Sequence, residues 1–302
     1  MRILTLTLNP AVDAACATDR VFPRHKIRTG GETHDPGGGG VNVARVLTEL
    51  GAEALAVVLA GGVTGRFLVE LLERDGIPCR SVPIAGITRI SMTVQERTTG
   101  EEYRFVPAGP EISAAELAAV KAVLAAEPHE WLVLSGSLPR GVGDGVYGEI
   151  AAVEAARGRQ VVLDCSGAPL RMALGKGLAL IKPSLREFEE LVGSALPDAA
   201  AQDAAALRLV RQGAAARIAV SLGADGALLA TADGVIRQPA IPVVVKGAVG
   251  AGDSFLAGMV FGLARGDGAA EALRWGLAAG AASVMRSGTA HPQRADILRL
   301  KG

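Results

Sequence analysis

The strongest chemical signal in this 302-residue chain is a run of small residues that ends in an acid and opens an apolar helix. The run is Gly250, Ala251, Gly252 and Asp253. Small residues let backbone N–H groups converge on an anion, and a helix N-terminus adds unpaired donors and a favourable dipole. An acid would repel phosphate there unless it takes a proton from an attacking hydroxyl, so the pattern predicts a general base beside an anion hole. A plain helix N-cap role for Asp253 is the alternative.

A second cluster consists of four consecutive glycines, residues 37–40, before a helix-like segment that carries Asn42. Consecutive glycines allow something to approach the backbone closely, and an amide side chain can hydrogen-bond hydroxyls through both of its groups. Gly38, Gly39 and Asn42 are therefore candidate contacts of a sugar. A flexible hinge is the alternative.

The elements that position these clusters alternate along the chain. Strand-like runs occupy residues 3–8, 54–60, 131–135, 160–164, 178–181, 217–222 and 235–245. Helix-like segments occupy residues 41–50, 65–75, 114–126, 145–157, 185–192, 202–212, 254–264, 269–285 and 292–300. Alternation of this kind predicts a mostly parallel central sheet with helices on both faces. Ligands of open α/β sheets gather at the carboxyl ends of the strands, so the glycine turns there could face one crevice.

Two polar segments, residues 13–35 and 89–106, interrupt this alternation. The second is typical of a hairpin with its turn at residues 98–100. We interpret both segments as a small β-lid on a single α/β domain that spans residues 1–302, because no linker or repeat separates two cores. A charged surface insertion is the alternative.

Composition argues against several classes of protein. Lys plus Arg and Asp plus Glu each number 31, so the formal net charge is zero, and aromatic residues make up only 3%. Such a chain lacks the field and the stacking platform of nucleic-acid binders. It has no run of 18 apolar residues, so we expect no membrane span. Its three cysteines form no CxxC, so we expect no disulfide framework and no cysteine zinc site, and a cytoplasmic protein is the expectation.

Competing nucleotide motifs fit the sequence poorly. It contains no GxxxxGK[ST], the P-loop pattern. Residues 143–148 match GxGxxG, but a Pro-containing stretch of seven residues separates them from the preceding strand-like run. A dinucleotide site requires the first glycine at the end of the strand, so we do not expect a dehydrogenase.

Two motifs together resemble the ribokinase (PfkB) family of carbohydrate kinases. They are residues 37–44 and residues 249–254, and the resemblance runs from residue 3 to about residue 290. Residues 7–13, 135–139 and 221–227 are similar to the phosphosugar branch of that family. Residues 37–40, 60–65 and 100–106 look most like its 6-phosphofructokinase members.

The resemblance implies a ribokinase-like α/β fold whose lid closes over the sugar and forms a homodimer. It implies ATP-dependent transfer of a phosphoryl group to the C1 hydroxyl of fructose 6-phosphate, giving fructose 1,6-bisphosphate and ADP, with Mg²⁺ accompanying ATP. Phosphorylation of fructose 1-phosphate or tagatose 6-phosphate is the nearest alternative. A catalytically weak protein that senses sugar phosphates is the alternative from a different class.

The resemblance also implies a role for individual residues. Asp253 is the expected base, and Gly250, Ala251 and Gly252 supply the expected anion hole. The expected substrate contacts are Asp13, Lys26, Arg28, Gly38, Gly39, Asn42, Arg89 and Ser137, of which Lys26, Arg28 and Arg89 would hold the sugar phosphate. The expected nucleotide contacts are Lys182, Ser184, Glu187, Ser221 and Gly223. Glu187 would reach magnesium through water, since magnesium keeps several of its waters.

Two departures from the family pattern have consequences. Ser184 stands where the family commonly has Asn, which predicts an altered rather than a lost metal dependence because Glu187 is retained. Residues 286–289 replace a commoner turn, which leaves open whether that turn contacts a monovalent cation or a purine.

Overall fold

The computed structural model describes residues 1–286 and 291–302. Within these ranges the strands are β1 (Arg2–Thr7), β2 (Ala11–Thr18), β3 (Gly30–Gly37), β4 (Glu53–Ala60), β5 (Cys79–Pro83), β6 (Arg89–Glu96), β7 (Glu102–Phe105), β8 (Trp131–Ser135), β9 (Gln160–Asp164), β10 (Leu178–Ile181), β11 (Ile218–Ser221), β12 (Ala227–Thr231) and β13 (Gly234–Gln238). The helices are α1 (Gly39–Glu49), α2 (Gly62–Arg74), α3 (Ala114–Ala126), α4 (Val146–Ala156), α5 (Gly167–Ala173), α6 (Leu185–Val192), α7 (Ala199–Arg211), α8 (Ala251–Ala264), α9 (Ala269–Val284) and α10 (Arg294–Lys301).

In the described part of the chain, nine strands form the central sheet in the order β13-β12-β11-β10-β9-β8-β1-β4-β5. The strands from β11 to β5 run parallel, whereas β12 is antiparallel to β11 and β13 is antiparallel to β12. Because the parallel strands share one direction, their carboxyl ends meet at one edge of the sheet. The mostly parallel sheet predicted from the alternation is therefore confirmed.

Helices cover both faces of this sheet, as predicted. In β1, Leu4 and Leu6 pack into a core shared with α3 to α7, whereas Ile3 packs into a core shared with α1, α8, α9 and α10. Side chains of a strand alternate between its two faces, so a strand that is buried on both sides needs apolar residues at nearly every position. All residues of β8 are accordingly buried.

The second sheet has four strands in the order β3-β2-β6-β7, and we call it the lid sheet. It contains both segments that we interpret as a lid. β2 begins four residues after β1 ends, so the lid sheet starts at the carboxyl edge of the central sheet. In register, Asp13 of β2 lies between Asp35 of β3 and Ser91 of β6.

The face of the lid sheet opposite Asp13, which we call the open face, carries an exposed apolar patch. Ile90, Met92 and Phe105 lie on it, and between 42% and 57% of each is exposed. Met92 and Phe105 are direct partners across β6 and β7. Alternation along β6 turns these side chains away from the face that carries Asp13.

Several element predictions need correction. The strand predicted over residues 235–245 ends at Gln238, because Pro239 and Pro242 cannot donate to a ladder. The strands β5 and β12 and the short helix α5 were not predicted. Within residues 1–286 and 291–302, none of the helices combines the length and apolar composition that a bilayer crossing needs.

Candidate active site

The candidate anion hole lies at the start of α8. Gly250 is the N-cap residue in the left-handed conformation, with φ of 73°, which glycine adopts without strain. In the described part of the chain, the backbone amides of Gly252 and Asp253 donate to no backbone acceptor. They are free first-turn donors of the kind that bind anions.

Asp253 does not cap this helix. The N-cap residue is Gly250, and Asp253 lies three residues later, within the first turn. Its Oδ2 instead accepts a hydrogen bond of 2.8 Å from Nδ2 of Asn42. The N-cap interpretation is therefore wrong, and Asn42 has one more contact than the sequence indicated.

Burial gives the Asp253 carboxyl an unusual proton affinity. Loss of solvent, together with the negative charge of Asp164, raises its pKa to about 7, against the lowering effects of the Asn42 hydrogen bond and the Lys182 charge. A carboxyl with a pKa near neutrality is well suited to accept a proton during catalysis.

Lys182 forms a buried ion pair beneath the anion hole. Its Nζ lies 3.2 Å from Oδ1 of Asp164, at the end of β9. A Cβ added to Gly252 would lie 3.3 Å from the same Nζ, so glycine lets the ammonium approach the helix start. Burial lowers the pKa of Lys182, but the carboxylates of Asp164 and Asp253 outweigh it and leave that pKa raised. For the carboxyl of Asp164, burial has the opposite effect and raises the pKa.

Sequence reasoning did not select Asp164 as a site residue. The available signal was its position as the last residue of a buried strand, at the edge where ligands gather. No motif distinguished it from an ordinary strand-end acid.

The glycine run permits close contact with neighbouring strand ends. A Cβ on Gly37 would lie 2.1 Å from Oδ2 of Asp13, and a Cβ on Gly39 would lie 2.3 Å from Oγ of Ser135. Gly38 has φ of 115°, which L-residues rarely adopt. Close approach therefore accounts for these glycines, and the hinge alternative is not needed.

Asp13 lies near two arginines of the lid sheet, Arg89 and Arg104, and one of α1, Arg45. Burial raises its pKa to about 6, and the charges of Arg104, Arg89 and Arg45 oppose that rise in decreasing order. Arg104 was not predicted. It is the register partner of Thr93, and the strict alternation of β7 places it on the same face as Asp13.

Arg89 and Ser137 come together at the carboxyl edge through Asn9. Arg89 donates hydrogen bonds of 2.8 Å to the carbonyl oxygens of Pro107 and Asn9. Nδ2 of Asn9 donates to Oγ of Ser137 at 3.3 Å. Asn9 was not singled out from the sequence.

A cavity of about 490 Å³ opens at this edge. It is lined by Gly39, Ser135, Gly136, Ser137, Leu138, Asp144, Asp164, Cys165, Ser166, Pro169, Glu187 and Asp253. The structure thus brings the candidate base, a candidate sugar contact and a candidate metal-side residue to one cavity.

Ser184 and Glu187 form a capping box at the start of α6. Oε2 of Glu187 accepts hydrogen bonds of 2.8 Å from the backbone amide and from Oγ of Ser184. Ser184 also pairs with Ser221 at the end of β11, two residues before Gly223. All five predicted nucleotide contacts, Lys182 included, therefore lie at the carboxyl ends of β10 and β11.

Lys26 and Arg28 lie away from this cavity. Both are exposed, and the carbonyl oxygen of Arg28 accepts a hydrogen bond from Oγ1 of Thr18 at the far end of β2. Thr18 is five residues beyond Asp13, or roughly 16 Å at about 3.3 Å per strand residue. Within a single subunit, Lys26 and Arg28 therefore lie too far from Arg89 to bind the same phosphate. Residues 287–290 lie outside the described residues, and they include most of the turn whose contact with a monovalent cation or a purine the sequence leaves open.

Comparison with known proteins gives matches over almost the whole chain. Residues 6–296 match the pfkB family carbohydrate kinase. The ATP-dependent 6-phosphofructokinase isozyme 2 of Mycobacterium tuberculosis is 43% identical over 300 residues, which cover 99% of this chain and 88% of that protein. The 1-phosphofructokinase of Xanthomonas campestris is 36% identical over 272 residues, which cover 87% of this chain and 84% of that protein.

A solved structure has the same fold. Phosphofructokinase-2 from Escherichia coli, crystallised in complex with fructose-6-phosphate, superposes with a TM-score of 0.93 at 36% identity. The superposition covers 99% of this chain and 98% of that chain. The ribokinase-like α/β fold expected from the sequence is confirmed.

Proposed function

This chain belongs to the pfkB family of carbohydrate kinases, and we propose that within it the chain phosphorylates the C1 hydroxyl of fructose 6-phosphate. Family membership makes it a phosphotransferase that acts on a sugar hydroxyl with ATP as co-substrate. The choice of fructose 6-phosphate rests on two proteins similar to this chain, the Mycobacterium enzyme and the Escherichia structure.

One observation carries the proposal, namely that a carboxyl with a pKa of about 7 lies beside free helix amides on the wall of one cavity. Asp253 takes the proton from the C1 hydroxyl while the sugar oxygen forms its bond to the γ-phosphorus of ATP. The bond from that phosphorus to the bridging oxygen breaks, and ADP leaves with the electron pair. The free amides of Gly252 and Asp253 stabilise negative charge that develops on the transferred group, whereas the amide of Ala251, also predicted for this role, donates to the carbonyl oxygen of Ala248.

The fixed phosphate of the sugar needs a cationic site away from the transferred phosphate, or the sugar could bind backwards. Arg89 and Ser137 supply a guanidinium and a hydroxyl for it at the junction with the lid sheet. Asp13 and Asn42, together with the backbone at Gly38 and Gly39, face the sugar hydroxyls. Charge-assisted hydrogen bonds to the phosphate are each worth about 1.5–3 kcal/mol, enough to dominate substrate choice.

Magnesium fits this site through water rather than through a direct ligand cage. Among residues 1–286 and 291–302, no three His, Cys, Asp or Glu side chains are grouped as a metal site. Glu187 uses Oε2 in the capping box, and its side chain lines the cavity. Its carboxylate would order waters of the magnesium ion, which neutralises charge on the ATP phosphates. Lys182, Ser184, Ser221 and Gly223 hold the nucleotide side.

The lid sheet supplies a surface for a second copy of this chain. Its open face carries Ile90, Met92 and Phe105, which pack against the same face of a partner in a symmetric dimer. Such pairing also explains why Lys26 and Arg28 lie so far from Asp13 in their own chain. In the dimer they would reach the fixed phosphate bound by the partner subunit.

An assay of ADP formation from ATP, run with each sugar of a panel as the acceptor, tests the proposed function. The panel contains fructose 6-phosphate, fructose 1-phosphate, tagatose 6-phosphate and free fructose at saturating ATP and magnesium. We expect kcat/KM for fructose 6-phosphate to exceed that for free fructose by several orders of magnitude. A preference for fructose 1-phosphate, as in the Xanthomonas relative, would change the substrate and keep the mechanism. Binding of sugar phosphate without ADP release would indicate a sensor instead.

A further inference from the structure

Asn9 is almost completely buried at the junction between the central sheet and the lid sheet. Only 4% of it is exposed, between the end of β1 and the start of β2. Its Nδ2 donates two hydrogen bonds, one of 3.0 Å to the carbonyl oxygen of Ala108 and one of 3.3 Å to Oγ of Ser137. Within residues 1–286 and 291–302, its Oδ1 has no hydrogen-bond partner.

The orientation of this amide follows from its neighbours. The carbonyl oxygen of Ala108 can only accept a hydrogen bond, so the NH₂ group of Asn9 must point towards it. On the other side of the amide, a Cβ on Gly109 would lie 2.2 Å from Oδ1, and Gly109 has φ of 91°. Position 109 thus requires glycine, because any side chain there would collide with Oδ1 of Asn9.

The direction of the Asn9 hydrogen bond determines what Ser137 can do. A serine hydroxyl has one proton to donate and two lone pairs to accept with. Since Asn9 fills an acceptor position on Oγ, the Ser137 proton is left for another acceptor. Ser137 is exposed and lines the 490 Å³ cavity, so that acceptor would lie in the cavity.

A second observation at the same junction indicates an anion. Arg89 donates to the carbonyl oxygens of Asn9 and Pro107, but its Nε is buried and has no partner in the described structure. A buried donor of a charged group without a partner is costly, and an acceptor that binds there would satisfy it. The backbone of Asn9 thus orients the arginine, while its side chain orients the serine.

We propose that Asn9 is a positioning residue for the fixed phosphate of the substrate. It holds the Ser137 hydroxyl as a donor that faces the cavity, beside the guanidinium that its own carbonyl orients. This inference rests on the proposed function and deepens it, because it explains how the site would distinguish a sugar phosphate from a free sugar. Asn9 acts through Ser137 and touches no reacting atom.

A double-mutant cycle tests this role with Asn9→Ala, Ser137→Ala and the combined variant, using Ser137→Thr as the control that keeps a hydroxyl. We expect Asn9→Ala to raise KM for fructose 6-phosphate about tenfold, the size of a lost hydrogen bond to a charged group. The effect should fall on KM for the sugar phosphate more than on kcat or on KM for ATP. In the Ser137→Ala background, Asn9→Ala should change that KM by no more than about twofold.

Other outcomes overturn the inference in distinguishable ways. If Asn9→Ala raises KM equally in both backgrounds, Asn9 only supports the loop at residues 107–109 through Ala108. If Asn9→Ala does not fold, Asn9→Ser takes its place in the same cycle, since it removes the amide with a smaller change in polarity. Calorimetric titration with fructose 6-phosphate and with fructose, both without ATP, separates the two claims. Equal affinity of the parent protein for both sugars contradicts the proposed function and this inference together, whereas additive effects in a protein that discriminates contradict only the inference.

Discussion

Asn42 and Asp253 are 211 positions apart in the chain, and a hydrogen bond of 2.8 Å joins their side chains. The bond links the first turn of α1 to the first turn of α8, so the helix that follows the glycine run holds the carboxylate beside the anion hole. Because Asn42 donates through Nδ2, its Oδ1 is left to accept from a sugar hydroxyl. The same bond helps to keep the pKa of Asp253 from rising further.

Asp253→Asn should reduce kcat by at least about 10²-fold, the typical contribution of a general base, while nucleotide binding persists. The variant should also be more stable than the parent at pH 8. Folding raises the pKa of this carboxyl, so its ionisation destabilises the fold progressively between about pH 4 and pH 7. Thermal denaturation should therefore show a larger gain in Tm at pH 8 than at pH 5. Near-normal turnover in this variant would exclude Asp253 as the base.

The acid limb of the pH profile reports the same group. We expect kcat/KM for the sugar phosphate to fall as the pH drops through about 7, because protonated Asp253 cannot accept the hydroxyl proton. Asp13, with a pKa of about 6, should add a second loss at lower pH through weaker sugar binding. A profile that is flat between pH 5.5 and pH 8 contradicts the assignment.

Glu187→Gln should raise the magnesium concentration needed for half-maximal activity, because a neutral amide orders the waters of a cation less strongly. Ser184→Asn should lower that concentration by restoring the amide common in the family. Glu190→Gln is the matched control on the same helix, where Glu190 forms a surface ion pair with Arg186. If neither Glu187→Gln nor Ser184→Asn shifts the magnesium titration, the metal side lies elsewhere.

Arg89→Ala should raise KM for fructose 6-phosphate and leave KM for ATP nearly unchanged, which narrows the difference between phosphorylated and free sugar. It should also move the lower acid limb to higher pH, since Arg89 holds down the pKa of Asp13. Arg97→Ala is the matched control, because Arg97 follows the far end of the same strand and pairs with Asp19. An equal rise of both KM values would contradict a contact with the fixed phosphate.

Mixing two variants with weakened binding of fructose 6-phosphate tests whether subunits share the phosphate site. One chain carries Lys26→Glu and Arg28→Glu, and the other carries Arg89→Ala. A dimer of the two contains one site with all three cations intact, so mixing should restore activity at a low concentration of fructose 6-phosphate, where each variant alone is nearly inactive. Met92→Glu on the open lid face should weaken the dimer in sedimentation velocity. A parent protein that sediments as a monomer, or a mixture without recovery, contradicts the shared site.

Much of the architecture was predictable from local sequence. The alternation of apolar strands and helices determined a parallel sheet covered on both faces, because a strand buried on two sides must be apolar throughout. The helices α3 and α6 were predicted to the residue, and each begins with a capping box whose Ser and Glu are read directly from the chain. By contrast, the strand predicted over residues 235–245 is too long, because Pro239 and Pro242 have no backbone N–H to donate to a neighbouring strand.

Local sequence also selected the run from Gly250 to Asp253 and the glycine run before Asn42, since both can be interpreted without any partner, whereas the other candidate residues came from the resemblance to the family. Only the tertiary structure decided what surrounds these residues. It joined Asp253 to Asn42, placed Lys182 against Asp164, and put Asn9 in contact with Ser137. It also separated Lys26 and Arg28 from Arg89. The physical reason is that burial, charge and hydrogen-bond direction depend on strand order and register, which bring together residues that no local pattern connects.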